Sequence, residues 1–533
     1  RDDVESRGLG DVYKRQMKHI SILRLLAGGL IFTTASCSLD YDPVDMYSDV
    51  TEGVQKEEDK GVVFKDKAAV EAHLQTLYDQ MRDRQEHWYQ DMFLIGDTHS
   101  DNAYAGTRSG APQYFESNTI PSTIAPLQRG WNRFMEDIAR ANKLICNIDA
   151  VTDASLTVQE RESYKAQAKI FRAMIYFDMV RNWGRIPIVI TEAGDITSET
   201  IEEVYPAYFP AQNTEEEVYR QIEKDLLEAI SAAPDNNPED KTRFSKSVAR
   251  TLLAKVYAEE PLRDYTKVIK YCDEVAADGF RLADKFNDLF GVKMQDETLP
   301  PGPANPAIEA KYRNTVESIL EAQYFPGSGT WLPNILGRFL DDWDKQFTYA
   351  KWITPSRDLL AAFEEAGDKE RLNETVVYYQ TNWDNHYPRE HYPFMYKIRS
   401  SYSTVIKYRY ADVLLLKAEA LLLGNGSVGD AVDIINQIRH RAGLADLPSS
   451  VTSSREAAFE ALMKERRLEL ALEGQRWYDL VRWGKVEEVM NSLPDRDEGR
   501  AKLGNLFNRN YYKLPISQSV LDQNPNLKQN PGY

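Results

Sequence analysis

The sequence predicts a mainly α-helical protein, a stack of helix hairpins that carries an irregular, aromatic-rich region. Three observations lead there. Long apolar stripes recur at three- and four-residue steps, small and bulky positions repeat within the chain, and residues 281–405 switch to Pro and Gly punctuation.

Residues 67–83 place Ala69, Val70, His73, Leu74, Leu77, Tyr78 and Met81 on one face, which predicts an amphipathic helix. The segments 131–149, 159–181, 214–231, 247–259 and 265–277 follow the same pattern. The repeat emerges when Ala249, Leu252, Leu253, Lys255 and Ala258 are laid over Ala411, Leu414, Leu415, Lys417 and Ala420. Their partner helices match as well, with Val268, Cys272 and Val275 over Ala431, Ile435 and Ile438. Ala168, Phe171, Ala173 and Phe177 fit the first helix again. Small residues facing bulky ones let paired helices approach closely, as tetratricopeptide-like hairpins require.

The region between the repeats contains ETLPPGPANP (297–306) and YFPGSGTWLPN (324–334). Irregular segments on a rigid helical frame are where recognition surfaces usually sit. Aromatic residues crowd into 324–352 and 378–410, in a chain with 30 Tyr, 19 Phe and 9 Trp.

A formal net charge of −18 opposes a polyphosphate partner, so a nucleic-acid binder is not expected. Residues 17–36 have a basic start, an apolar run from Leu25 to Phe32 and small residues before Cys37, which predicts an export signal. Residues 1–16 resemble no targeting device and are read as a foreign leader, with Met17 as the start. The run Thr34-Ala35-Ser36-Cys37 resembles a bacterial lipobox, although Thr34 departs from the usual leucine, so Cys37 is the expected lipidation site. Cys146 and Cys272 sit at apolar helical positions and are expected as buried thiols.

Several chemical motifs dissolve on inspection. GNGSVG (424–429) has the GxGxxG form, but a helical pattern precedes it where a nucleotide site needs a strand, so it reads as a turn. His386 and His391 lie five apart among prolines, and no helix presents both to a zinc ion. No serine triad, phosphate loop or cysteine nucleophile is present, and catalysis is not expected. No cofactor is expected, while a structural calcium ion held by loop oxygens needs no compact motif and stays open. The stretch DTHSDNAY (97–104) combines carboxylates, an amide and an aromatic, a set that can hold sugar hydroxyls and cover a ring face. The same polar groups close turns equally well.

GQRWYDLVRWG (474–484) interleaves arginines with aromatics and can be read as a stacking surface. In the longer run 462–483, however, Leu468, Leu472, Trp477, Leu480 and Val481 can share one helical face. Glu465, Arg466, Glu469, Glu473 and Arg476 are spaced for pairing along that helix. This spacing favours scaffold over ligand contact.

LMKERRLELALEGQRWYDLVRWG (462–484) and LPISQSVLDQNPNLKQNPGY (514–533) resemble the C-terminal signatures of the SusD/RagB family of Bacteroidetes surface lipoproteins. ARANKLICNIDAV (139–151), AKIFRAMIYFDMVRNWGRIPIV (168–189) and IKYRYADVLLLKAEALL (406–422) are similar to further motifs of that family. The resemblance implies one SusD-like unit over 37–533: helical repeats in 37–280, a loop-rich ligand-binding region in 281–405, and C-terminal helices and tail in 406–533. It implies four tetratricopeptide-like helix pairs and an outward-facing, lipid-anchored place on the outer membrane. It also implies a SusC-type TonB-dependent transporter as partner and capture of an oligosaccharide for import, without catalysis. A peptide-capturing lipoprotein is the alternative, and a surface glycoside hydrolase a more distant one. No ligand residue is carried over by a matched motif. The expected contacts are Asp97, Asp101, Asn102 and Tyr104 from the first loop, with Tyr324, Trp331, Trp343 and Trp352 from the central region.

Overall fold

Asp66 opens the helical array: its carboxylate accepts from Ala69 N at 2.9 Å and caps α1, Lys67–Asp83. The structure is a computed structural model and describes residues 63–291, 310–338 and 351–533, apart from 108, 195, 196, 198 and 199. The expected leader, signal, Cys37 and Trp343 lie outside the described residues.

Seven more helices continue the array: α2 (Ala125–Asn147), α3 (Val158–Trp183), α4 (Glu215–Ile230), α5 (Lys246–Ala258), α6 (Tyr265–Ala277), α7 (Tyr410–Leu423) and α8 (Val428–Arg441). Thr157 with Glu160 and Thr214 with Glu217 form reciprocal capping boxes that start α3 and α4. Each helix packs on the next, so α1/α2, α3/α4, α5/α6 and α7/α8 stack as four hairpins. This is the expected scaffold. α3 is buried from Ala166 to Val180 except at Lys169, and Ala168 and Ala173 provide the close approach that its neighbours need.

The repeat lysines share a role that the overlay only hinted at. Lys255 of α5 reaches Asp412 of α7 at 2.5 Å, and Lys417 of α7 reaches Asp273 of α6 at 2.5 Å. The α5/α6 and α7/α8 hairpins are therefore pinned to each other by two charge pairs as well as by packing. GNGSVG is the turn between α7 and α8, with Gly424 capping α7 and Asn425 at φ 61°. Cys272 is buried as expected, but Cys146 is exposed on the last turn of α2.

Among the helices that follow the array are α9 (Arg455–Glu469) and α10 (Arg476–Trp483), where the sequence predicted one continuous helix over 462–483. Leu472 at φ 56° and Gly474 at φ 71° break it. The expected pairing along one helix face becomes long-range pairing instead. Glu469 is held by Arg371, Arg409 and Arg441, Glu473 by Arg409 and Lys397, and Glu465 by Arg371 and Arg439.

The intervening region is more ordered than its punctuation suggests. It contributes to three two-stranded antiparallel sheets. β1 (Ala103–Ala105) pairs with β3 (Ile353–Pro355), β2 (Ser318–Ala322) with β6 (Val405–Arg409), and β4 (Val376–Tyr379) with β5 (Tyr392–Met395). β6 runs directly into α7, so the β2/β6 sheet is fastened to the array at its seventh helix.

Candidate ligand-binding site

The first candidate loop turns out to be interior. Residues 94–98 form a π-helical turn and 103–105 form β1, so DTHSDNAY is not a free loop. Asp97, Asp101, Asn102 and Tyr104 are all buried, and their polar atoms are committed within the protein. Asp97 accepts from Asn102 Nδ2 at 3.1 Å and from Gly474 N at 2.7 Å. Asn102 Oδ1 accepts from Arg467 Nε at 3.0 Å. Tyr104 OH donates to Asp497 at 2.5 Å, and its ring stacks on His386 with centroids 4.5 Å apart. The expectation that these four side chains contact a ligand is corrected: they are buried and bond to one another, stack on His386, and pair with residues of the segment 467–497.

Electrostatics distinguishes the two aspartates. Burial pushes the Asp97 carboxyl up to about 7, against the two hydrogen bonds it accepts. Asp101 is equally buried, yet the guanidinium groups of Arg467, Arg476 and Arg496 outweigh that burial and hold its carboxyl well below the usual range. Arg476 donates Nε and Nη2 to the two oxygens of Asp101 at 2.8 and 2.9 Å. Arg482 makes the same two-pronged contact with Glu419, and Trp477 is buried against His99 with ring centroids 4.1 Å apart. GQRWYDLVRWG is thus scaffold, and its arginines face carboxylates rather than solvent.

In the central region, Tyr324 is buried and donates its hydroxyl to Arg82 O at 3.0 Å, so it too is removed from the expected contacts. Its neighbour Phe325 points the other way and is 42% exposed, with the Arg313 guanidinium 4.3 Å from its ring centroid. Phe325 and Ser328 exchange backbone hydrogen bonds at 3.2 and 2.9 Å around Pro326 and Gly327, and Gly327 has a φ of 90°. The turn holds Phe325 outward. Sequence reasoning missed this residue, although a large apolar side chain directly before a Pro-Gly turn was the available signal.

Trp331 and Trp352 are brought together. Trp331 precedes the short helix Leu332–Ile335, and Trp352 N donates to Ile335 O at 2.9 Å, so the two residues bracket one helical turn. Both rings pack partly on the core and remain partly exposed. Buried Gln85 fixes the entry to this turn by accepting from Thr330 Oγ1 at 2.7 Å and Trp331 N at 3.3 Å. Lys351 Nζ donates to Asn334 O at 2.5 Å. A second aromatic pair stands on the β4/β5 hairpin, where Tyr378 and His391 stack with centroids 4.1 Å apart and planes 2° from parallel. Flat faces held on short, braced turns can cover the apolar face of a ring-shaped ligand. Among the described residues no group of three or more His, Cys, Asp or Glu side chains is placed to hold a metal ion.

Two family models match the chain without overlapping and together span more than half of it. The model described as "SusD family" matches residues 365–533, and "Starch-binding associating with outer membrane" matches 49–258. The chain belongs to the SusD/RagB family. SusD-like protein P2 of Formosa agariphila is 26% identical over 95% of this chain and 98% of its own length. The starch-binding protein SusD of Bacteroides thetaiotaomicron is 34% identical over 24% of this chain and 21% of its own. Among solved structures, a SusD superfamily protein of Bacteroides vulgatus superposes with a TM-score of 0.69 at 20% identity, covering 88% of this chain and 99% of that one. A laminarin-binding SusD-like protein superposes with a TM-score of 0.64 at 24% identity, covering 88% of this chain and 100% of that one. The four-hairpin array is therefore the SusD-like fold. Among the described residues, no helix is long and apolar enough to cross a membrane.

Proposed function

We propose that the protein is a non-catalytic, cell-surface glycan-binding lipoprotein that captures oligosaccharides and passes them to a TonB-dependent outer-membrane transporter. The observation that carries the binding reading is the pair Trp331 and Trp352, partly exposed at the two ends of one braced helical turn, with Phe325 exposed on the preceding turn. Membership of a family that includes a protein described as starch-binding supports a sugar as the ligand class. The laminarin-binding structural relative agrees with it. The family description that mentions the outer membrane supports a surface location, and lipidation at Cys37 would supply the anchor. Tethering beside a transporter raises the effective concentration of captured sugar, so modest affinity suffices for delivery.

A glycan array followed by affinity gels tests the reading, with Trp331→Ala and Trp352→Ala run beside the unaltered protein. Retention by a glycan that both substitutions weaken supports it. Retention of peptides and of no glycan would replace it with a peptide-capturing role. Release of reducing sugar during the assay would replace it with hydrolysis.

A further inference from the structure

A small internal cavity of about 20 Å³ lies where the segment 86–98, α2 and the C-terminal end of α3 meet. Every lining residue except Met92 is buried. One water needs roughly 10–15 Å³ of such space, so the cavity has room for a single water and for no larger molecule.

Three of the residues that line it each carry a buried polar atom with no hydrogen bond within the protein: Trp183 Nε1, Asp91 Oδ2 and His87 Nδ1. Their chemistry defines what they need. An indole N–H only donates, while burial pushes the Asp91 carboxyl up to about 7 against the Arg129 guanidinium, and in its ionised form Oδ2 only accepts. His87 Nε2 lies 3.0 Å from Asp137 Oδ2, an acceptor, which places the imidazole proton on Nε2 and leaves Nδ1 with a lone pair. Burial lowers the His87 pKa from its ordinary value, which favours this neutral ring. The set is one donor and two acceptors, and water is its complement, with two hydrogens to give and lone pairs to receive.

We infer that one water is a built-in ligand of this cavity, accepting from Trp183 Nε1–H and donating to Asp91 Oδ2 and His87 Nδ1. Three bonds is the usual number for a buried water. Gly130 of α2 borders the same space. A Cβ there would stand 3.3 Å from Trp183 Cη2 and 4.0 Å from Asp91 Oδ2. Asp91 Oδ1 already accepts from Arg129 Nη2 at 2.5 Å, so the water completes the coordination of that carboxylate. The bridge joins α3 to residues 86–98, two π-helical turns on either side of Asp91–Phe93. Those turns lead into Asp97 and β1, so the water helps to set the frame on which β3 and the Trp352 segment rest.

The test is a high-resolution crystal structure of the unaltered protein, read together with water-exchange NMR on its ¹⁵N-labelled indoles. Trp183→Phe assigns the relevant signal among the nine tryptophans. The expected result is one density peak within about 2.7–3.2 Å of all three atoms, and a cross-peak to water from the Trp183 indole proton showing long residence. A dry cavity, or direct pairing of Trp183 with Asp91 or His87, overturns the inference. The crystal result needs no variant, so it stands even if Trp183→Phe fails to fold.

Discussion

Arg476 and Asp101 are 375 positions apart in the chain and meet through two parallel hydrogen bonds of 2.8 and 2.9 Å in the interior. The contact joins the first turn of α10 to the segment between the second π-helical turn and β1. Arg467 stands 3.2 Å from the same carboxylate, and Arg496 3.8 Å.

Removing one partner of a buried charged pair leaves the other uncompensated, at a cost of about 3–5 kcal/mol. Asp101→Ala is therefore expected to destabilise the protein more than Arg476→Ala, because Asp101 keeps Arg467 when Arg476 is gone, whereas among the described residues Arg476 has no second carboxylate at hydrogen-bond distance. Arg476→Lys should lie between wild type and Arg476→Ala, since an ammonium cannot reproduce the fork. Urea unfolding midpoints measure the order. A lysine variant as stable as wild type would show that the two-pronged geometry contributes nothing.

Gly96 and Gly474 bring two backbones close together in the core. A Cβ on Gly96 would fall 2.2 Å from Gly474 O, and one on Gly474 would fall 2.8 Å from Met92 Cγ at a φ of 71°. Gly96→Ala forces two backbones apart and is expected to cost more than the roughly 1–3 kcal/mol typical of overpacking. Gly484→Ala, at φ 66° but with open space around it, should cost only about 1 kcal/mol of backbone strain. Thermal melts of the two variants should therefore differ clearly, and equal losses would count against the close approach.

Asp97 gives the protein a pH signature. Its carboxyl is pushed up to about 7 in the fold from an ordinary 3.8, so between those values the folded protein retains a proton that the unfolded chain has released. The stabilisation from this group is complete below about pH 4 and is lost as pH rises toward 7, by up to about 1.4 kcal/mol per pH unit. Asp97→Asn carries no such proton. The melting temperature of Asp97→Asn relative to wild type should climb from pH 4 to pH 8, and a difference independent of pH would show that Asp97 titrates normally.

An aromatic pair is worth about 0.5–1.5 kcal/mol beyond area burial, and a ring stacked on a sugar is expected to contribute on the same order. Trp331→Ala and Trp352→Ala should each weaken glycan binding by about 1 kcal/mol in isothermal titration, and Phe325→Ala by a similar amount. Tyr324→Ala, one residue from Phe325 but buried, should lower stability instead, by about 3–5 kcal/mol. Unchanged affinity in all three surface variants would move the site elsewhere.

Where partners are local, the sequence was legible. The predicted bounds 67–83 and 265–277 coincide with α1 and α6, because strong apolar periodicity begins beside a capping aspartate in both, Asp66 and Asp264. Where a partner is remote, local pattern misled. The 462–483 run keeps helical spacing through the break, which is imposed by the approach of Gly474 to Gly96 and by Leu472 at φ 56°. Polarity made DTHSDNAY look exposed, whereas its carboxylates are neutralised by arginines and an amide from the far end of the chain. Tyr324 and Phe325 are chemically alike, and only the turn geometry decides which faces outward.

The bonds that close the Asp97–Asn102 segment also govern when the protein can be finished. All four hairpins are complete by Arg441, yet Arg467, Gly474, Arg476 and Arg500, which bond to residues 97–103, come later. A nascent chain that has released its hairpins still lacks every one of these counterparts and keeps Asp101 without its arginines. Long-range closure of this kind slows folding and leaves the incomplete chain open to proteases. The native state is thus a full-length property: a ribosome that stalls before the last helices yields a well-formed helical stack that cannot lock.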